Sequence, residues 1–128
     1  MKPSRIQAVD TVHLESLPEF KAELCWFYGE LADLAEAASE PAGDAYLAFQ
    51  SEQIEVHIRL CRDPQIEPKS VRLTIAVPFL DEVEQQLVER SCPFHKLSGI
   101  AHSDRRIDIL DPAGNRVHFK QMSRFAPL

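Results

Sequence analysis

Leu110-Asp111-Pro112-Ala113-Gly114-Asn115-Arg116-Val117-His118-Phe119-Lys120 is the stretch whose reading decides the fold. Pro112 presets φ for the first corner of a tight turn, and Gly114 can take the left-handed conformation that closes a short hairpin loop. Strands are expected on either side. Before the turn, Arg105, Ile107 and Ile109 alternate with Arg106, Asp108 and Leu110; after it, Val117 and Phe119 alternate with Arg116, His118 and Lys120. Such a hairpin has one apolar and one polar face, and it must lay the apolar face on something else.

The rest of the chain supplies what it lies on. Val12 and Leu14 alternate with Thr11, His13 and Glu15 within a strand predicted to begin near Ile6. Ser16 is the expected N-cap of a helix with Pro18 and Glu19 in its first turn. Phe20, Leu24, Phe27, Leu31 and Leu34 form its apolar stripe, and the Ala-rich run after Leu31 could carry it to Ser39. Glu40 to Asp44 reads as a turn. Ala45 to Gln50 and Ile54 to Leu60 read as strands, the second with Glu55, His57 and Arg59 on its polar face. Two prolines in Cys61 to Ser70 mark a linker.

The pattern then restarts. Val71 to Val77 is a strand, Pro78 opens a second helix with Leu80, Val83 and Leu87 inward, and Ser91-Cys92-Pro93 stops it. Phe94 to Leu97 is a short strand, Ser98 to Ser103 a loop, and the quoted hairpin closes the chain. The sequence is thus strand, helix and three strands, written twice. Unit one spans about 6–61, the linker 62–70, unit two 71–121 and a tail 122–128. Aligning the first strands of the units puts His13 over Arg72, an offset of 59 residues. Aligning the last strands puts His57 over His118, an offset of 61.

Repeat and turn together resemble the vicinal-oxygen-chelate superfamily, which includes glyoxalase I, extradiol dioxygenases and the fosfomycin- and bleomycin-resistance proteins. The resemblance covers Val12 to Gln121. It implies an α+β fold of two tandem βαβββ modules, each a curved mixed sheet forming half of a cup with its helix on the outer face, and so a short strand, rather than continued helix, in the run after Leu31. A ferredoxin-like α+β sandwich ranks second, because it leaves the second hairpin of each unit unexplained. Relatives that bind metal place ligands on the first and last strand of each unit, which here are His13, His57, Arg72 and His118. Three imidazoles suit Zn, Ni, Fe or Mn, but a guanidinium cannot ligate, and a Glu usually stands where this chain has His118.

Two functions follow from the resemblance. One is a metal-dependent lyase, isomerase or oxygenase on a small oxygen-rich substrate, with His13, His57 and His118 as ligands and Glu15 or Glu55 as general base. The other is a metal-free, drug-sequestering protein of the bleomycin-resistance type. Independently of either, Arg72 with Arg59 or Arg116 could form an anion site. Small relatives often act as homodimers, and exposed strand edges would favour pairing here.

Bulk composition narrows the field. The chain has 128 residues, 45% hydrophobic and 27% charged, which fits one ordinary domain. Its net charge of −6 argues against nucleic acid and anionic membranes as partners, and would attract a cationic ligand. Cys25, Cys61 and Cys92 are odd in number and widely spaced, which suits a reducing compartment rather than a disulfide framework. With no apolar run long enough for a signal or a membrane span, a cytoplasmic location is expected.

Overall fold

A computed structural model describes residues 10–37, 45–66, 72–98 and 105–122. The expected start of the first strand at 6–9, the turn at 40–44, Val71, His102 and the tail beyond 122 lie outside the described residues. No described helix is long and apolar enough to cross a membrane.

Strand β1 (Asp10–Ser16) leads into a 3-10 turn (Pro18–Phe20), helix α1 (Lys21–Cys25) and a π-helical continuation (Trp26–Leu31). The helix differs from expectation at both ends. Ser16 ends β1, its Oγ bonded to the carbonyl of Leu17, and contributes no cap. Nor does the helix reach Ser39: Asp33 takes a positive φ of 60°, and Ala35–Glu36 form the short strand β2. The wide π turn has a packing consequence. Within it Phe27, Tyr28 and Leu31 are buried, so Tyr28 joins the expected stripe of Phe27 and Leu31.

Strands β3 (Tyr46–Gln50) and β4 (Ile54–Leu60) complete a four-stranded sheet in the order β1-β4-β3-β2. Strand β5 (Arg72–Val77), helix α2 (Leu80–Glu89), and strands β6 (His95–Leu97), β7 (Arg106–Leu110) and β8 (Arg116–Gln121) repeat it, in the order β5-β8-β7-β6. In each sheet the first strand runs parallel to the last, and the other pairs are antiparallel. This is the expected pair of βαβββ modules. Two separate sheets exclude the single sheet of a ferredoxin-like sandwich.

Alternation decides which face is buried. Ile54, Val56, Ile58 and Leu60 of β4 point inward, as do Leu73, Ile75 and Val77 of β5 and Val117 and Phe119 of β8. Leu80, Val83 and Leu87 of α2 cover the second sheet, while Val88 is 61% exposed. The α2 N-terminus is fixed from the end of β8, where Gln121 Oε1 accepts from the Leu80 amide at 3.0 Å. One core joins the two units. The Phe27 ring lies 5.6 Å from Phe119 of the second sheet, and the Tyr28 ring 5.8 Å from Phe49 of the first.

The turn that announced the fold also holds the units together. Asp111 and Asn115 are 4% and 2% exposed. Asp111 Oδ1 accepts from the amides of Ala113 (2.9 Å) and Asn115 (2.8 Å), while Oδ2 accepts from Asn115 Nδ2 (2.9 Å) and the Tyr28 hydroxyl (2.5 Å). A buried carboxylate is tolerated because its oxygens are supplied with donors. Burial and the Asp111 charge push the Tyr28 hydroxyl well above its ordinary pKa, so it remains a donor. Gly114, at φ 95°, lets the turn close, and its amide donates to the Asp111 carbonyl at 2.9 Å.

Candidate functional site

Strand register places the polar-face residues in rows. In the first sheet His13 sits opposite His57, and His57 opposite Ala48. In the second, Thr74 sits opposite His118, His118 opposite Asp108, and Asp108 opposite His95. The true counterpart of His13 is therefore Thr74, and the expected equivalence with Arg72 is corrected by one pleat. Arg72 pairs instead with Arg116. An offset of 61 relates both strand pairs of the two units.

The correction changes the metal argument. His13 and His57 stack with ring centroids 5.3 Å apart and planes at 24°, and His57 Nε2 is 3.2 Å from Glu55 Oε1. His118 is in the other sheet, its Nδ1 hydrogen-bonded to Asp108 Oδ1. Among the described residues no group of three or more His, Cys, Asp or Glu side chains could hold a metal ion. His13, His57 and His118 thus do not gather into the expected three-histidine centre, and the fourth position holds a threonine hydroxyl.

The expected general bases are also otherwise engaged. Glu15 Oε1 accepts from the Gln65 amide at 2.5 Å and the Ile66 amide at 3.0 Å, and Oε2 lies 3.2 Å from Arg59 Nη1. Those backbone amides, helped by Arg59, hold its carboxyl below the ordinary value. Glu15 therefore secures the start of the linker and is a weak proton acceptor. Glu55 neighbours His57 on the first sheet, and Arg59, across from Glu15, is on that sheet too.

Arg72 and Arg116 are brought together. They lie side by side on β5 and β8, whose spacing is about 4.8 Å, and both line a cavity of about 660 Å³. Its apolar wall includes Trp26 and Phe27 from the first unit and Leu87, Phe94, Ile109 and Leu110 from the second. His118, Asp108 and His95 supply its remaining charged and polar side chains. The guanidinium of Arg90 lies 3.9 Å over the Trp26 ring and fixes that wall. Burial and the nearby charge of Glu36 raise the pKa of the neighbouring Cys25 thiol.

Sequence reasoning missed Asp108, His95 and Phe94. Asp108 was within reach, since the hairpin places Leu110 opposite Arg116 and counting back two residues on one strand and forward two on the other sets Asp108 against His118. Phe94 and His95 carried no such signal, because their pairing depends on where the chain returns to the sheet.

Comparison with solved structures bears on the architecture. No family model matches the chain, and no curated protein matches it. A protein assigned to the glyoxalase family from Bacillus anthracis superposes with a TM-score of 0.69 at 23% identity, covering 94% of this chain and 98% of that one. The antibiotic-binding protein TnmS3 from Streptomyces sp. CB03234 gives 0.66 at 20% identity, covering 91% and 96%. Lactoylglutathione lyase from Agrobacterium tumefaciens gives 0.63 at 14% identity, covering 99% and 100%. A lyase and a binding protein fit the same backbone about equally well, so the likeness identifies architecture and not activity. With its two βαβββ modules in matching register, the chain has the vicinal-oxygen-chelate fold of the glyoxalase, bleomycin-resistance and dioxygenase-like structures.

Proposed function

We propose that this protein binds a small amphiphilic anion, without metal, in the cavity of its second unit. The observation that carries the reading is the side-by-side placement of Arg72 and Arg116 at an otherwise largely apolar cavity. Two neighbouring guanidiniums can clamp a carboxylate or phosphate, and Trp26 and Phe94 offer faces for an aromatic body. The volume lies in the range of small-molecule sites.

Charge at two ranges pulls in opposite directions. The net charge of −6 favours a cation at long range, but exposed charges beyond roughly 8 Å are largely screened at physiological salt. Both arginines are exposed, where a single ion pair contributes about 0.2–1 kcal/mol, but two guanidiniums against the one carboxylate of Asp108 leave the cavity lining net positive at short range. The local pair wins, so the reading favours an anion over a cationic drug. Antibiotic binding is what the Streptomyces neighbour's name describes for that protein. We also propose a homodimer, for which β1, β2, β5 and β6 offer the edge strands of the described sheets.

Calorimetric titration of chelator-treated protein with aryl carboxylates, aryl phosphonates and bleomycin-type cations, at two salt concentrations, tests the reading. Saturable heat with the anions, weakened by salt, is expected. Preference for the cations, or stoichiometric Zn, Ni, Fe or Mn retained by untagged protein, would overturn it. Sizing across a concentration series tests the dimer.

A further inference from the structure

Most of the positive charge on the described residues is already matched. Arg59, Arg62, Lys96 and Arg105 pair with Glu15, Glu19, Glu84 and Asp81, Arg90 lies over the Trp26 ring, and Lys21 is also engaged. The remaining described cations are Arg72, Arg106, Arg116 and Lys120, all exposed, and none of them makes an ion pair with another described residue. All four stand on one face of the second sheet. Alternation along β7 and β8 puts Arg106 and Lys120 on the side that carries Asp108 and His118, and register sets Arg106 directly across from Lys120. Arg72 and Arg116 form the other cross-strand pair, four residues back along β8. At a rise of about 3.3 Å per residue the two pairs stand about 13 Å apart along that strand.

Like charges directly opposite each other on a sheet repel, so each pair weakens the unliganded fold. Asp108 shares this face but is bonded to His118. Acids outnumber Lys and Arg by 20 to 14 in the chain, so partners were not scarce. The sheet nevertheless keeps two cationic pairs unrelieved, one at each end of the same face. An anion at each end would relieve both.

We propose that Lys120 and Arg106 form a second anion site, and that the ligand, on the anion-binding reading above, is an elongated organic dianion with its two anionic groups about 13 Å apart. Its first group is held by Arg72 and Arg116 at the cavity, its body lies along β8 past His118, and its second group reaches Lys120 and Arg106. The second pair is not part of the cavity lining, so a short anion fills the first site alone. Ala76 lies across from Lys120 and Leu97 across from Arg106, and neither brings a charge that would compete with the ligand. Sequestering a monoanion needs the first pair only. A second pair on the same face, held at a fixed distance by the strand, serves to measure length.

Calorimetry on the chelator-treated, full-length protein with matched para-linked mono- and dicarboxylates of benzene, biphenyl and terphenyl tests this. The distance between carboxylates grows ring by ring, and each monocarboxylate controls for the aromatic body of its partner. The three-ring dicarboxylate should bind about tenfold tighter than its monocarboxylate, about twofold from having two equivalent ends and about fivefold from the second ion pairing. The one-ring pair should differ by the end-counting factor alone. Raised salt should shrink the three-ring gain. In Arg106→Gln/Lys120→Gln the three-ring ratio should fall to about two, and the unfolding midpoint of that variant should rise because the repelling pair is gone. A three-ring ratio that stays near tenfold in the folded double variant, or a ratio that is the same for one ring and for three, would overturn the second site and leave the anion-binding reading standing. No binding by any member of either series would instead remove that reading, and the second site with it.

Discussion

The two units share a backbone plan and put different chemistry on it. Across the first sheet the central row reads His13, His57, Ala48; across the second it reads Thr74, His118, Asp108, His95. The parallel strands of both units have the same residue spacing, so the rows are geometric equivalents. In the first unit two imidazoles stack against each other and Arg59 is paired with Glu15. In the second a single imidazole is paired with a carboxylate, and two arginines remain side by side at a cavity. A duplicated scaffold fixes where side chains can stand, while the side chains themselves decide which half carries the site.

The two halves differ most in what the last turn does, and breaking it should have the largest effect. Asp111→Ala removes the acceptor of the half-buried Ala113 amide and of the buried Asn115 amide and Tyr28 hydroxyl. It should cost about 3–4 kcal/mol, read as a lower urea midpoint. Tyr28→Phe, which deletes one donor, should cost about 1–2 kcal/mol. If both variants unfold like the parent, the turn does not tie the units together.

Grafting the first row onto the second sharpens the comparison. Thr74→His places an imidazole opposite His118, beside Asp108, and should create a divalent-metal site. At a Ni or Zn concentration about a hundredfold above Kd the gain is roughly 2.7 kcal/mol, seen as a rise in melting temperature. Arg72→His lies one pleat away and should give less. A larger response from Arg72→His would show that the register assigned to β5 and β8 is wrong.

That contrast marks how far the sequence could be read. Alternation made the strands and their faces legible, and the Pro112 and Gly114 turn fixed the closing hairpin. Period-two patterning, however, repeats every two residues, so offsets of 59 and 61 keep the same polar face and nothing in the alternation separates Arg72 from Thr74. The helix was legible in its first turns only. Its π turn and the strand at Ala35–Glu36 stand where the propensity of the Ala-rich run alone favours continued helix, and tertiary packing overrides it. Of the proposed site, Arg72, Arg116 and His118 could be named from sequence, but the cavity wall depends on a helix of one unit meeting a strand of the other.

A smaller effect separates the units by pH. The Glu15 carboxyl is held below its ordinary value because backbone amides of Gln65 and Ile66, and then Arg59, bind the ionised form. A depressed carboxyl pKa contributes stability above the unfolded value, and that contribution is lost as pH falls through the folded value. Glu15→Gln should therefore lower the unfolding midpoint at neutral pH and converge with the parent in acid below the folded pKa. A gap that stays constant from pH 7 into that range would assign the effect of Glu15 to packing.

The account's central claim is that Arg72 and Arg116 bind an anion in the second unit without metal, and affinity measured on chelator-treated protein tests it most directly. Calorimetry with phenylpyruvate should give one saturable site in the parent, about tenfold weaker in Arg72→Ala or Arg116→Ala and at least a hundredfold weaker in the double variant. Arg59→Ala, on the first sheet, should leave it unchanged. Equal affinity in the parent and the double variant, or binding that appears only when a divalent metal is restored, would contradict the account.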